Sequence, residues 1–248
     1  MTSGDIDRFL LIPVVFTFFF VILAGLFWYR RRQSQGSYQD ILIASFLWPI
    51  YAAILFGGIV IQRNYFASFG FSWNWIGKVL TIGATVVMLF ALPNIDPKSA
   101  GVTFRQRPGA FWSTLLVIVV VTTVSAFVQR HQGVPDVRPQ TWLYQLFMPS
   151  IDEELFYRGL LLFYVARGFG DSLPTRTWNV DLSVWVVTLL FGFVHAVGFD
   201  HRKPVFDVAS FLFTFVPGYL LGWARQRTGS VVLPIVGHTL TNTLYRLL

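Results

Sequence analysis

In the stretch FMPSIDEELFYRGL, residues 147–160, the consecutive acids Asp152, Glu153 and Glu154 lie with Arg158 inside an apolar and aromatic run. Two carboxylates beside an arginine allow a division of labour. One is paired and structural; the other is free to bind a metal or move a proton. Arg158 follows Glu154 by four residues, the favourable order for an ion pair on one helix face. That leaves Glu153, roughly 100° around the helix, as the available carboxylate. Of the four histidines, His131 and His201 fall in expected loops. His195, in LLFGFVHAVGF, and His238, in LPIVGHTLTNTLYRLL, fall inside apolar runs. Phe191 precedes His195 by one turn, and Asn242 follows His238 by one turn on the same face.

Each feature has a structural explanation of its own. Ser150 and Glu153 after Pro149 form a capping box, so the acidic patch reads as a helix start, with the preceding run broken at Pro149. His195 reads as an interior histidine packed on Phe191 and bonded to a carbonyl. His238 and Asn242 read as an interhelical hydrogen-bond pair. Taken together the residues point to hydrolysis at membrane depth. Glu153, His195 and His238 make a three-ligand zinc site with an open position for water. Asn242 would orient that water or stabilise an oxyanion. Alternatively, Glu153 and the histidines activate water without a metal, by general base catalysis.

The elements that must position these groups follow from composition. The 248 residues are 54% hydrophobic and only 12% charged, with 26 Phe and 9 Trp. Soluble domains carry roughly a quarter charged residues, so this is a membrane composition. Cysteine is absent, which removes disulfides and thiolate metal sites. Apolar runs long enough to approach or cross a bilayer cover Phe9–Tyr29, Ile41–Ile61, Trp75–Leu92, Phe111–Val128, Trp142–Ala166, Leu182–Phe199, Pro204–Ala224 and Ser230–Tyr245. Lys78 lies near enough to the end of its run to snorkel to the surface. The expectation is an all-α polytopic membrane protein of about eight transmembrane helices, with the site in an intramembrane cavity. The net charge of +7 gathers between apolar runs, at Arg30–Arg32, Lys98–Arg107, Arg202–Lys203 and Arg225–Arg227. That placement suits lipid headgroups as partners and argues against nucleic acid.

The set Glu153-Glu154-xxx-Arg158, Phe191-xxx-His195 and His238-xxx-Asn242 resembles the motifs of the CPBP family. Its members are CaaX proteases and bacteriocin-processing enzymes, called the Abi family in bacteria. The resemblance covers residues 141–248, a CPBP-like catalytic core; residues 1–140 form an N-terminal four-span region of the same integrated membrane domain. It implies an intramembrane endopeptidase, a metalloprotease if zinc is bound by Glu153, His195 and His238. By the same resemblance, Glu153 is the carboxylate that activates water and His195 and His238 are ligands or water-positioning groups. Asn242 completes the site at the oxyanion. Glu154 with Arg158 is supportive, and Phe191 packs behind His195. The implied substrate is a membrane-bound or lipidated protein or peptide. The implied location is an integral multi-pass membrane protein, of the plasma membrane if bacterial and of the endoplasmic reticulum if eukaryotic.

A competing reading is a proton- or ion-coupled transporter that uses the same buried acids and histidines at a broken helix. It predicts paired inverted repeats, and the first four runs lack the polar, broken character of the last four. A scaffold that keeps the fold has no need of the complete Glu, His, His and Asn set. Asp152 reads as a helix-start residue, His201 as a rim residue, Asp207 as part of a first helical turn, and Pro217-Gly218 as a kink.

Overall fold

A backbone shielded from water must bond to itself, so the apolar runs become helices. The computed structural model describes residues 3–31, 36–129, 136–171, 179–200 and 203–247. Its helices are α1 (Ser3–Arg31), α2 (Tyr38–Tyr65), α3 (Trp75–Ala91), α4 (Phe111–Gln129), α5 (Pro139–Glu153), α6 (Leu162–Phe169), α7 (Leu182–Ala196), α8 (Val208–Thr228) and α9 (Val232–Thr243). A π-helical stretch, Glu154–Leu161, joins α5 to α6 without a break. With that rod taken as one unit, the helices follow the expected runs in order. By length and composition α1, α2 and α4 are each able to cross a membrane; α3 and α7 are apolar but shorter.

The chain shows large apolar side chains on its outside as well as in its core, and buries several ionisable ones. Phe90 and Trp112 are 76% and 77% exposed, while Lys78, Asp152, Glu154, Arg158, Arg225 and His238 are buried. An apolar exterior with the ionisable groups kept inside and paired is what lipid as solvent selects. α2 lies against both α1 and α3, α7 runs along α8, and α5 packs on α3 and α9. Gly192 of α7 faces α8 where a Cβ would come within 3.0 Å of the Phe211 ring, so this approach depends on its missing side chain.

Three expectations change. The chain is not broken at Pro149, and Ser150 caps nothing. α5 runs straight through both residues, which are buried. Ser150 Oγ donates to the Leu146 carbonyl at 3.3 Å and accepts from Thr239 Oγ at 2.8 Å, tying α5 to α9. Proline removes one ladder bond, and packing against α3 and α9 holds the helix across the gap. Second, the helix of the sixth run, α7, stops at Ala196 and that of the seventh run, α8, starts only at Val208. Between them, Val197–Asp200 (β1) pairs antiparallel with Lys203–Phe206 (β2). Val197, Phe199, Val205 and Phe206 suit extended backbone, and Pro204 is unsuited to a helix interior. The fold is thus nearly all-α. Third, Asp207 is not in the first turn of α8 but caps it, accepting from the Ala209 amide at 2.9 Å and the Ser210 hydroxyl at 2.6 Å. His131 and His201 lie outside the described residues.

Candidate active site

The three acids stand where the rod changes its winding: Asp152 and Glu153 end α5, and Glu154 opens the π stretch. Such stretches concentrate at functional sites because the altered turn re-aims side chains. Here the three carboxylates take three separate environments.

Glu154 is fully buried. Its Oε1 accepts from Arg158 Nη1 at 3.0 Å and from His238 Nδ1 at 2.8 Å. Arg158 Nη2 reaches across to the Gly218 carbonyl of α8 at 3.0 Å. The guanidinium also lies over the Phe191 ring, 4.2 Å from its centroid. Phe191 in turn packs on His195 at 4.6 Å between ring centroids. The Arg158 and Phe191 side chains therefore wedge between α7, α8 and the rod.

Glu153 is the reachable carboxylate, with 12% of its side chain accessible against 0% for Asp152 and Glu154. Its Oε2 lies 4.0 Å from His195 Nε2 and 3.9 Å from His238 Nε2. The other nitrogen of each ring is already engaged. His195 Nδ1 donates to the Phe191 carbonyl at 2.7 Å, and His238 Nδ1 meets Glu154. Carbonyl and carboxylate oxygens only accept, so in the neutral rings both Nε2 atoms carry lone pairs. Three acceptors, from α5, α7 and α9, thus converge on one space.

Two cavities border that space. One, of about 120 Å³, is walled by apolar residues of α1 and α2, including Val15, Leu55 and Phe56, and ends on Glu153 and His195. The other, of about 130 Å³, also reaches Glu153 and His195 and carries His238, Thr214, Thr241 and Asn242. Asn242 thus shares the site with His238. Each cavity is large enough for several waters.

Two residues of this cluster were misread from sequence. Lys78 does not snorkel. It is buried, and Nζ donates to Asp152 Oδ2 at 2.8 Å and to Glu153 Oε1 at 2.7 Å. Asp152 is not a helix-start residue; it is fully buried and also accepts from the Tyr51 hydroxyl of α2. The available signal was a lone lysine in an apolar run, which in a membrane calls for a partner. Sequence alone could not say which of three acids it would find.

The donor set has the chemistry for zinc, two imidazole nitrogens and a carboxylate oxygen. Its spacing is wider than zinc needs. Bonds of ~2.0–2.1 Å in a tetrahedron set ligand atoms roughly 3.3–3.4 Å apart, against 3.9 and 4.0 Å here. Among the described residues no group of three His or carboxylate side chains closes on a metal ion. The Lys78 ammonium on the other Glu153 oxygen also disfavours a second cation there. As placed, the residues do not fit the metal.

Residues 137–244 match the family model for the type II CAAX prenyl endopeptidase Rce1-like family. That match supports assigning the segment to the CAAX protease family. The segment holds Glu153, His195, His238 and Asn242 together, so the convergent site falls within the matched residues and the transport reading is not favoured. Hydrolysis of a peptide bond by a membrane protein is the activity this family carries. Searches among curated proteins and among solved structures give no match.

Proposed function

We propose that the protein is an intramembrane endopeptidase in which Glu153 activates water, without a metal, to cut a prenylated or otherwise lipidated membrane-bound substrate. The observation that carries this is the open Glu153 Oε2 facing two imidazole lone pairs between an apolar and a polar cavity. A water in that space donates one hydrogen to Glu153 and the other to an imidazole Nε2. Its own lone pair is then free for the scissile carbonyl carbon. As the carbon–oxygen bond forms, Glu153 takes the proton. The oxyanion is met by the Asn242 amide. Collapse breaks the carbon–nitrogen bond, and Glu153 returns the proton to the leaving amine. The apolar wall of α1 and α2 is where an aliphatic or lipid-modified part of the substrate would sit, and Thr214 and Thr241 offer partners to its peptide groups.

The test is cleavage of an internally quenched, farnesylated peptide ending in a CaaX sequence by detergent-purified protein. Glu153→Gln keeps the shape and removes the base, and cleavage should drop by about 10²–10⁴-fold. Wild-type rates for Glu153→Gln would overturn the assignment.

A further inference from the structure

The cation on Glu153 comes from α3, outside the residues that match the family model. Lys78 lies in the first turn of α3, whose start is fixed by Asn74 Oδ1 accepting from the Gly77 amide at 2.9 Å. From there the side chain runs inward until it is only 6% exposed. Its Nζ bridges two neighbouring carboxylates, Asp152 Oδ2 at 2.8 Å and Glu153 Oε1 at 2.7 Å. The two bonds differ in what lies beyond them. Asp152 is sealed from the cavities and is held from its other side by Tyr51, whose ring stacks on Phe156 at 4.1 Å. Glu153 opens to both cavities. Asp152 and Tyr51 therefore anchor the ammonium, and the ammonium holds the carboxylate that meets water.

The hold has a direction. A free glutamate rotates about its last bond and exchanges its two oxygens. Binding Oε1 to a fixed ammonium stops that exchange and leaves Oε2 toward His195 and His238. It also sets charge against charge. Asp152, Glu153 and Glu154 crowd one turn of helix, and Arg158 is committed to Glu154. Within the cluster Lys78 is the cation placed on Glu153.

We infer that Lys78 is a positioning residue for catalysis: it locks the Glu153 carboxylate with one oxygen aimed at the water, making the N-terminal helices part of the catalytic unit. This rests on Glu153 activating water, as proposed above. The alternative is that Lys78 only neutralises buried Asp152 and so serves the fold. Two variants separate these roles. Lys78→Met removes the ammonium at similar volume. Lys78→Met with Asp152→Asn removes the ammonium and the buried anion that would be left behind.

Both are assayed on the farnesylated peptide, below the melting temperature of either, beside Glu153→Gln. Lys78→Met should lose about 10²-fold in kcat, the scale of a misplaced reacting group, with KM close to wild type. The double variant should melt above Lys78→Met and keep the kcat loss. Recovery of kcat to near wild type in the double variant, or an unchanged kcat in Lys78→Met, would overturn the inference while leaving the Glu153 assignment standing. Cleavage by Glu153→Gln at the wild-type rate would instead remove the reading beneath it, and this inference with it.

Discussion

His238 Nδ1 lies 2.8 Å from Glu154 Oε1, across 84 positions of sequence. The same oxygen takes the Arg158 guanidinium at 3.0 Å. One buried atom thus fixes both the ring orientation of a histidine and the seat of an arginine. Glu154→Gln keeps the shape but weakens both bonds and leaves Arg158 without its counter-charge. Groups that orient a reacting side chain are worth roughly 10–100-fold in activity, and kcat on the quenched peptide should fall within that range. A wild-type kcat would mean that His238 needs no such orientation.

Arg158→Ala should be worse for stability than for any other property. It strips Glu154 of its partner inside the protein, and breaking a buried pair costs about 3–5 kcal/mol. Thermal unfolding in detergent would read this as a large drop in melting temperature. An unchanged melting temperature would refute the supporting role of the pair.

Gly218 is where α8 passes closest to that arginine. A Cβ there would stand 3.0 Å from Arg158 Nη2 and 3.0 Å from Phe191 Cδ1. Neither has room to retreat, since Phe191 is packed on His195 and Arg158 is bonded on both sides. Gly218→Ala should cost about 1–3 kcal/mol, the usual scale of overpacking, and lower kcat through the displaced Phe191 and His195. Gly25, with nothing near its Cβ position, is the control: Gly25→Ala should unfold like the wild type.

Metal content follows from the spacing of Glu153, His195 and His238. Protein purified without chelator should hold well under one zinc per chain by mass spectrometry. Cleavage should persist after incubation with a strong chelator. Stoichiometric zinc lost in His195→Ala and His238→Ala would establish the metal-dependent alternative instead.

Outside the membrane-spanning segments, Asp181 sets a pH dependence. It sits half-buried just before α7, and burial pushes its carboxyl up to about 6, with neighbouring Asp171 adding to the shift and Arg30 opposing it. A raised carboxyl favours folding while protonated. Its contribution is full below the unfolded value, roughly 3.9, and is lost as pH rises through about 6. The melting temperature of the wild type should therefore decline over this window more than that of Asp181→Asn. Parallel profiles would remove Asp181 as the cause.

Much of this was written in the order of residues. Apolar runs fixed the helices because a bilayer leaves a backbone no other partner for its polar groups. The spacing of Glu154 and Arg158, and of Phe191 and His195, placed each pair on one helix face, and the structure pairs them. Pro149 misled because a proline weakens a helix locally, while its neighbours α3 and α9 act from outside the local sequence. The β1–β2 pairing was hidden because the apolar residues on either side of the polar centre, Val197 to Phe199 and Pro204 to Phe206, read as the ends of flanking helical runs, and pairing is a relation between segments.

Residue types and their order already named the groups able to do chemistry: a carboxylate pair, two histidines and an asparagine in runs of apolar residues where each unpaired charge is costly. Folding gave each of them its environment. It sealed Asp152 and Glu154, opened Glu153 to two cavities, turned both histidines by their Nδ1 bonds, and brought Lys78 from α3. Those outcomes rest on distances between residues far apart in the chain, and burial and charge pairing act through distance in space, which spacing along a helix does not encode.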